Sequence, residues 1–169
     1  MIKQIIKKII NFYKFKRSYS KITYINKIMK ENKISILDIG AAGGIEQFQD
    51  SWQPFLNRVD FILCEPHEES FNSILSLKTK VINKALSDEI KTNNIFYETR
   101  KPECSSMKEI NYDYLKKFPF PERFEVVKKK NISTTTIDNE FKILDSPHFI
   151  KIDTEGSELD ILKGASETL

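Results

Sequence analysis

The sequence predicts an α/β domain built on a parallel sheet with helices on both faces, and three observations carry that prediction. From Ile34 onward, short apolar runs rich in Ile, Leu and Val alternate with amphipathic stretches of helical spacing, the pattern of strand–helix–strand units joined by right-handed crossovers. The first run, Ile34 to Ile39, leads straight into Gly40-Ala41-Ala42-Gly43-Gly44, a string too small to supply packing side chains. Three runs carry an acid at the carboxyl end, Asp38, Glu65 and Asp153, which is where open parallel sheets bind ligands.

Size and composition bound the answer. A chain of 169 residues has room for one ordinary domain. Its 40% apolar and 30% charged content suits a globular protein and not a disordered one. No run approaches the roughly 18–20 apolar residues that span a bilayer, and the first residues lack the apolar core and cleavage site of a secretory signal. Two cysteines, Cys64 and Cys104, make neither a disulfide framework nor metal-ligand spacing. These features give the expectation of a reducing, cytoplasmic compartment and no bound metal. Net charge is +3, but nine Lys or Arg and no acid fall between Met1 and Lys30, so the remainder is net acidic.

Residues 1–33 read as a basic, amphipathic, helical segment preceding the domain at 34–169. Ile2, Ile5, Ile6, Ile9, Ile10 and Tyr13 share one helical face, with Lys3, Lys7, Lys8 and Lys14 off it. Packing of the isoleucines on the domain is the favoured reading. Peripheral contact of residues 1–17 with an anionic membrane, at the inner face, is the alternative. A second helix is expected over Ser20 to Glu31, and a short one over Glu46 to Ser51 that Pro54 ends. Trp52 and Phe55 then read as core residues.

The second strand is Val59 to Cys64, stopped by Glu65-Pro66. A helix follows from His67 to Leu77, and a third strand from Lys80 to Leu86. There the alternation breaks. Asn94 to Glu98 and Phe124 to Val127 are expected to pair as an excursion. Between them Tyr112, Tyr114, Phe118 and Phe120 lie among lysines. Such a mixture can stack on sugars or bases, but packing onto the sheet is the favoured reading. A short helix begins near Asp138, a last strand covers His148 to Ile152, and a final helix starts at Ser157 with Leu159 and Leu162 facing inward.

The acids select among cofactors. Glu65 falls about 20–25 residues after the glycines, the position of the acid that grips ribose hydroxyls. A dinucleotide loop needs to face a pyrophosphate, and Asp38 at its mouth is unfavourable there. An acid does suit the ammonium of an amino-acid tail, which favours S-adenosylmethionine. A dinucleotide-binding oxidoreductase stays as the alternative enzyme, and an inactive binding module as the non-enzymatic one.

With these residues in view, the sequence resembles the FkbM family of class I S-adenosylmethionine-dependent methyltransferases. The resemblance rests on Asp38-Ile-Gly-Ala-Ala-Gly-Gly, Glu65-Pro66, Ala85-Leu-Ser-Asp88 and Thr135-Thr-Ile-Asp138. It rests most specifically on Lys151-Ile-Asp-Thr-Glu-Gly-Ser-Glu158. It implies a Rossmann-like fold and O-methylation of a hydroxyl-bearing acceptor, a sugar, glycan or natural product, with no nucleic acid partner. The cofactor would be held at Asp38, Gly40, Ala41, Ala42 and Gly44, at Glu65 and Pro66, and at Ala85 and Leu86. Asp153 would face the transfer centre as a cofactor contact and catalytic base. A complete fold of this class has seven strands, and this sequence supplies four, so the sheet is expected to be incomplete at the C-terminus.

Overall fold

The computed structural model describes residues 23, 33–42, 44, 58–74, 80–142 and 146–169. The expected helices over Ser20 to Glu31 and Glu46 to Ser51, the basic segment, Trp52 and Phe55 lie outside them, save Thr23.

Four strands form the parallel sheet: β1 (Ile34–Ile39), β2 (Val59–Cys64), β3 (Lys80–Ile82) and β7 (Phe149–Ile152), in the order β3-β2-β1-β7. α1 (Glu68–Ile74) connects β2 to β3. The register sets Ile39 beside Cys64 and Ile152, so three strand ends are level. Side chains alternate across a strand, and β1 uses both faces. Leu37 and Ile39 join one buried cluster with Ile137, Phe141, Ile161 and Ala165. Ile36 joins the other, with Val59, Phe61 and Leu63. Burial on both faces explains why β1 reads as a continuous apolar run.

The expected third strand is two strands. β3 ends at Ile82, Asn83 and Lys84 turn outward, and β4 (Ala85–Leu86) enters a second sheet. There it pairs in parallel with the end of β6 (Val126–Thr135), which also pairs in antiparallel with β5 (Lys91–Thr99). The backbone explains the break. The N–H of Glu65 takes the Ile82 carbonyl, and the Cys64 thiol donates to the Lys84 carbonyl at 3.0 Å. The N–H of Ser87 goes to Thr135 instead.

The excursion pairs as expected, over longer strands. A two-stranded ribbon is marginal in water by itself, and this one is tied down at its base. Thr134 donates to the Glu89 carbonyl and accepts from the Lys91 N–H and the Asn94 amide. Cross-strand pairs stitch the rest, with Lys130 Nζ 2.6 Å from Glu98 Oε1 and Lys129 over the Tyr97 ring.

Two further expectations are overturned. The aromatic excursion is not packed on the sheet. Around α2 (Tyr112–Leu115), Tyr114, Phe118 and Phe120 are exposed, because the segment closes on itself through the Tyr114–Phe118 ring contact and local turn hydrogen bonds. In α4 (Glu158–Lys163) the inward residues are not Leu159 and Leu162, which are 64% and 44% exposed. The buried positions are Ser157, Ile161, Gly164 and Ala165, one face at helical spacing. Small residues set this phase. A Cβ on Gly164 would stand 2.1 Å from the Ser87 carbonyl oxygen, so the helix meets the loop after β4 backbone to backbone. α3 (Ile137–Phe141) completes that layer, capped by the Thr136 hydroxyl, which accepts from the Asn139 N–H.

Candidate functional site

A cleft opens at the carboxyl ends of the parallel strands. Gly40, with φ of +82°, turns the chain out of β1. A Cβ there would lie 2.0 Å from the Asp153 carbonyl oxygen, so only glycine lets the loops after β1 and β7 approach this closely. The N–H groups of Gly40 and Ala41 both take the Cys64 carbonyl, which ties the first loop to β2. Ala85 and Leu86 form part of the apolar floor beside Ile39 and Phe96.

Glu65 sits on the second wall and is 3% exposed. Its Oε1 accepts the His67 N–H at 2.7 Å. Burial pushes its carboxyl up to about 7, reinforced by the Asp38 charge and offset in part by that N–H and by Lys130.

Asp153, Thr154 and Ser157 make the third wall. Here Glu158 reaches back, its Oε1 accepting from the Thr154 N–H at 3.2 Å, the Gly156 N–H at 3.1 Å and the Thr154 hydroxyl at 3.3 Å. Burial opposes that charge, but the loop donors together outweigh it and hold the Glu158 carboxyl below its ordinary value. Glu158 is therefore committed to shaping the loop.

The fourth wall comes from the ribbon. After β5, a turn at Pro102–Cys104 brings Glu103, Ser105, Ser106 and Met107 to the cleft. Ser106 exchanges backbone hydrogen bonds with Tyr97, and its hydroxyl donates to the Glu155 carbonyl at 2.8 Å. One serine thus clamps the excursion to the loop after β7. Met107 also lines a second, polar hollow with Asp88, Asn93, Asn94, Tyr97 and Asp160.

The sequence-derived residues divide. Gly40, Ala42, Glu65, Pro66, Ala85, Leu86 and Asp153 line the cleft. Asp38, Ala41 and Gly44 are buried and are not part of its lining. Asp38 is a correction in position, for it is not at the mouth. Strand alternation sets it on the side of Ile36, fully buried, where Lys151 Nζ on the neighbouring strand lies 3.0 Å from its Oδ1. Burial raises the Asp38 carboxyl above its ordinary value, and the Lys151 hydrogen bond and charge oppose that rise. Lys151 also lies 3.6 Å from Asp153 Oδ2, so one cation bridges two of the three strand-end acids.

Sequence reasoning missed the whole ribbon wall. Ser106 and Glu155 are 49 residues apart, and nothing local in the sequence brings them together. Thr154 and Ser157 were missed although they fall inside the stretch from Lys151 to Glu158 that carries the family resemblance.

The charge of the lining is one-sided. Among the described residues it carries Glu65, Glu103 and Asp153 and no Lys, Arg or His. Such a wall repels phosphates and attracts cations. Among the described residues no group of three metal-ligating side chains is gathered, and no helix is long and apolar enough to cross a membrane.

A family model described as Methyltransferase FkbM domain matches residues 38–169. Among solved structures, the chain is similar to a methyltransferase FkbM from Methylobacillus flagellatus KT, with a TM-score of 0.50 and 19% identity. That likeness covers 80% of this chain and 30% of the other, so this chain spans less than a third of its length, and it bears on the fold alone. No curated protein gives a match.

Proposed function

The chain belongs to the FkbM methyltransferase family, and from that premise we propose that its cleft binds S-adenosylmethionine for methylation of a hydroxyl on a sugar or other polyhydroxylated acceptor. The observation that carries the reading is the chemistry of the lining, an apolar floor rimmed by Glu65, Glu103 and Asp153, with no Lys, Arg or His among the described lining residues. A dinucleotide would set its pyrophosphate against those acids. A ligand with an apolar base, a diol and a cationic end fits them.

When bound, the cofactor supplies a methyl group activated on a sulfonium. The rest is the work of this chain. Ala85, Leu86 and Phe96 offer an apolar slot for a planar base. The Glu65 carboxylate accepts from ribose hydroxyls, with the His67 N–H fixing one of its oxygens. Gly40 and Ala42 leave room for the amino-acid tail. Asp153, exposed at the cleft and neighboured by Lys151, orients an acceptor hydroxyl and takes its proton. The ribbon wall limits water over the site. Methyl transfer depends chiefly on such positioning. The polar hollow that shares Met107 offers Asn, Asp and Tyr groups to an acceptor rich in hydroxyls.

Calorimetric titration with S-adenosylhomocysteine tests the cofactor reading, with binding expected that Gly40→Arg abolishes. A folded chain that binds none of it, or that instead quenches NADH fluorescence on titration, refutes the reading. Transfer of a labelled methyl group to candidate glycans tests the acceptor, with loss of turnover and retained cofactor affinity expected for Asp153→Asn. The membrane reading of residues 1–17 is a separate proposal. Sedimentation with anionic liposomes, with and without those residues, tests it.

A further inference from the structure

We propose that Ser157 is a binding residue of the cleft, its hydroxyl hydrogen-bonding a polar group of the S-adenosyl cofactor. The inference rests on the cofactor reading above and adds a residue to it. Ser157 is 1% exposed and lines the cleft beside Gly40, Asp153 and Thr154. Its Oγ is the buried side-chain polar atom left without a hydrogen-bond partner among the described residues.

Buried hydroxyls are nearly always paired, and an orphan one costs stability. Structural uses of this hydroxyl are already filled by others. Ser157 stands at the N-cap of α4, yet its side chain makes no capping bond. The loop N–H groups of Thr154 and Gly156 are taken by Glu158, and the Glu155 carbonyl by Ser106. Alanine would fill the same buried position without the penalty. The hydroxyl therefore has a use only towards something that enters the cleft. A step between staggered χ1 wells re-aims it at low cost, and it can donate or accept. Ser157 shares its cleft with Gly40, Glu65 and Leu86, the residues given to the cofactor, and does not line the polar hollow beyond Met107, so the cofactor is the partner proposed.

The experiment compares wild type with Ser157→Ala by titration calorimetry with S-adenosylhomocysteine and by urea unfolding without ligand. We expect about 2–13-fold weaker binding in the variant, with a ligand-free unfolding midpoint equal to or above that of wild type. Equal affinity in the two proteins overturns the proposal. So does weaker binding accompanied by a lower ligand-free midpoint, which marks a structural hydroxyl. A wild-type chain that binds no S-adenosylhomocysteine overturns the cofactor reading itself, and this inference with it.

Discussion

Replacing Glu65 with Gln separates what the carboxylate does for the ligand from what it costs the fold. Burial sets the folded Glu65 carboxyl near 7 against an ordinary value of 4.5. The unfolded chain gives up this proton from about 4.5 upward, the folded chain only near 7. Ligand-free stability therefore falls as pH rises through that window. At about 1.4 kcal/mol for each pH unit separating the two values, the loss approaches about 3 kcal/mol at about pH 8 and vanishes below about pH 4.5. Glutamine cannot ionise, and its carbonyl can still accept the His67 N–H. Glu65→Gln is thus expected to match wild type in urea unfolding at about pH 4.5 and to exceed it by up to about 3 kcal/mol at about pH 8. Binding moves the other way. The amide is a weaker acceptor for a diol, and loss of a charge-assisted hydrogen bond, about 1.5–3 kcal/mol, weakens S-adenosylhomocysteine roughly 10–150-fold. Urea unfolding at the two pH values and calorimetry at the higher one read both effects. A variant with no added stability at the higher pH refutes the buried-carboxylate argument. Undiminished affinity refutes the role given to Glu65.

Other perturbations test the frame around the site. Lys151→Met removes the Lys151 ion pair from the buried Asp38 carboxyl and is expected to lower the urea-unfolding midpoint, partly recovered by adding Asp38→Asn. Gly164→Ala forces a Cβ to within 2.1 Å of the Ser87 carbonyl oxygen. It should lower the thermal midpoint clearly, whereas Leu162→Ala on the exposed face of α4 should leave it within error. Leu86→Ala opens a cavity where the side chain is 1% exposed. It should cost about 2–5 kcal/mol and weaken cofactor binding together with stability.

Much of the architecture was legible because its causes are local. Buried parallel strands require continuous apolar runs, so β1, β2 and β7 could be read directly with their acids. The turn after β1 required a small residue free to take positive φ, so Gly40 marked the cleft. What failed depended on contacts distant in sequence. The third strand splits because Ser87 finds Thr135 and Lys84 finds the Cys64 thiol. The inward face of α4 does not follow its leucines, because the close approach of Gly164 to the Ser87 carbonyl decides the helix phase.

By itself, then, the sequence determined the parallel sheet, the positions of Glu65 and Asp153 at strand ends, and the resemblance that the family match supports. Those features follow from side-chain periodicity and from residue types at fixed spacing. Only the tertiary structure decided that Asp38 is buried on Lys151 and away from the cleft, that a ribbon clamped by Ser106 forms one wall, and that Ser157 keeps an unpaired hydroxyl there. Each of these depends on which backbone groups are already spent, and that is settled only when segments far apart in the chain meet.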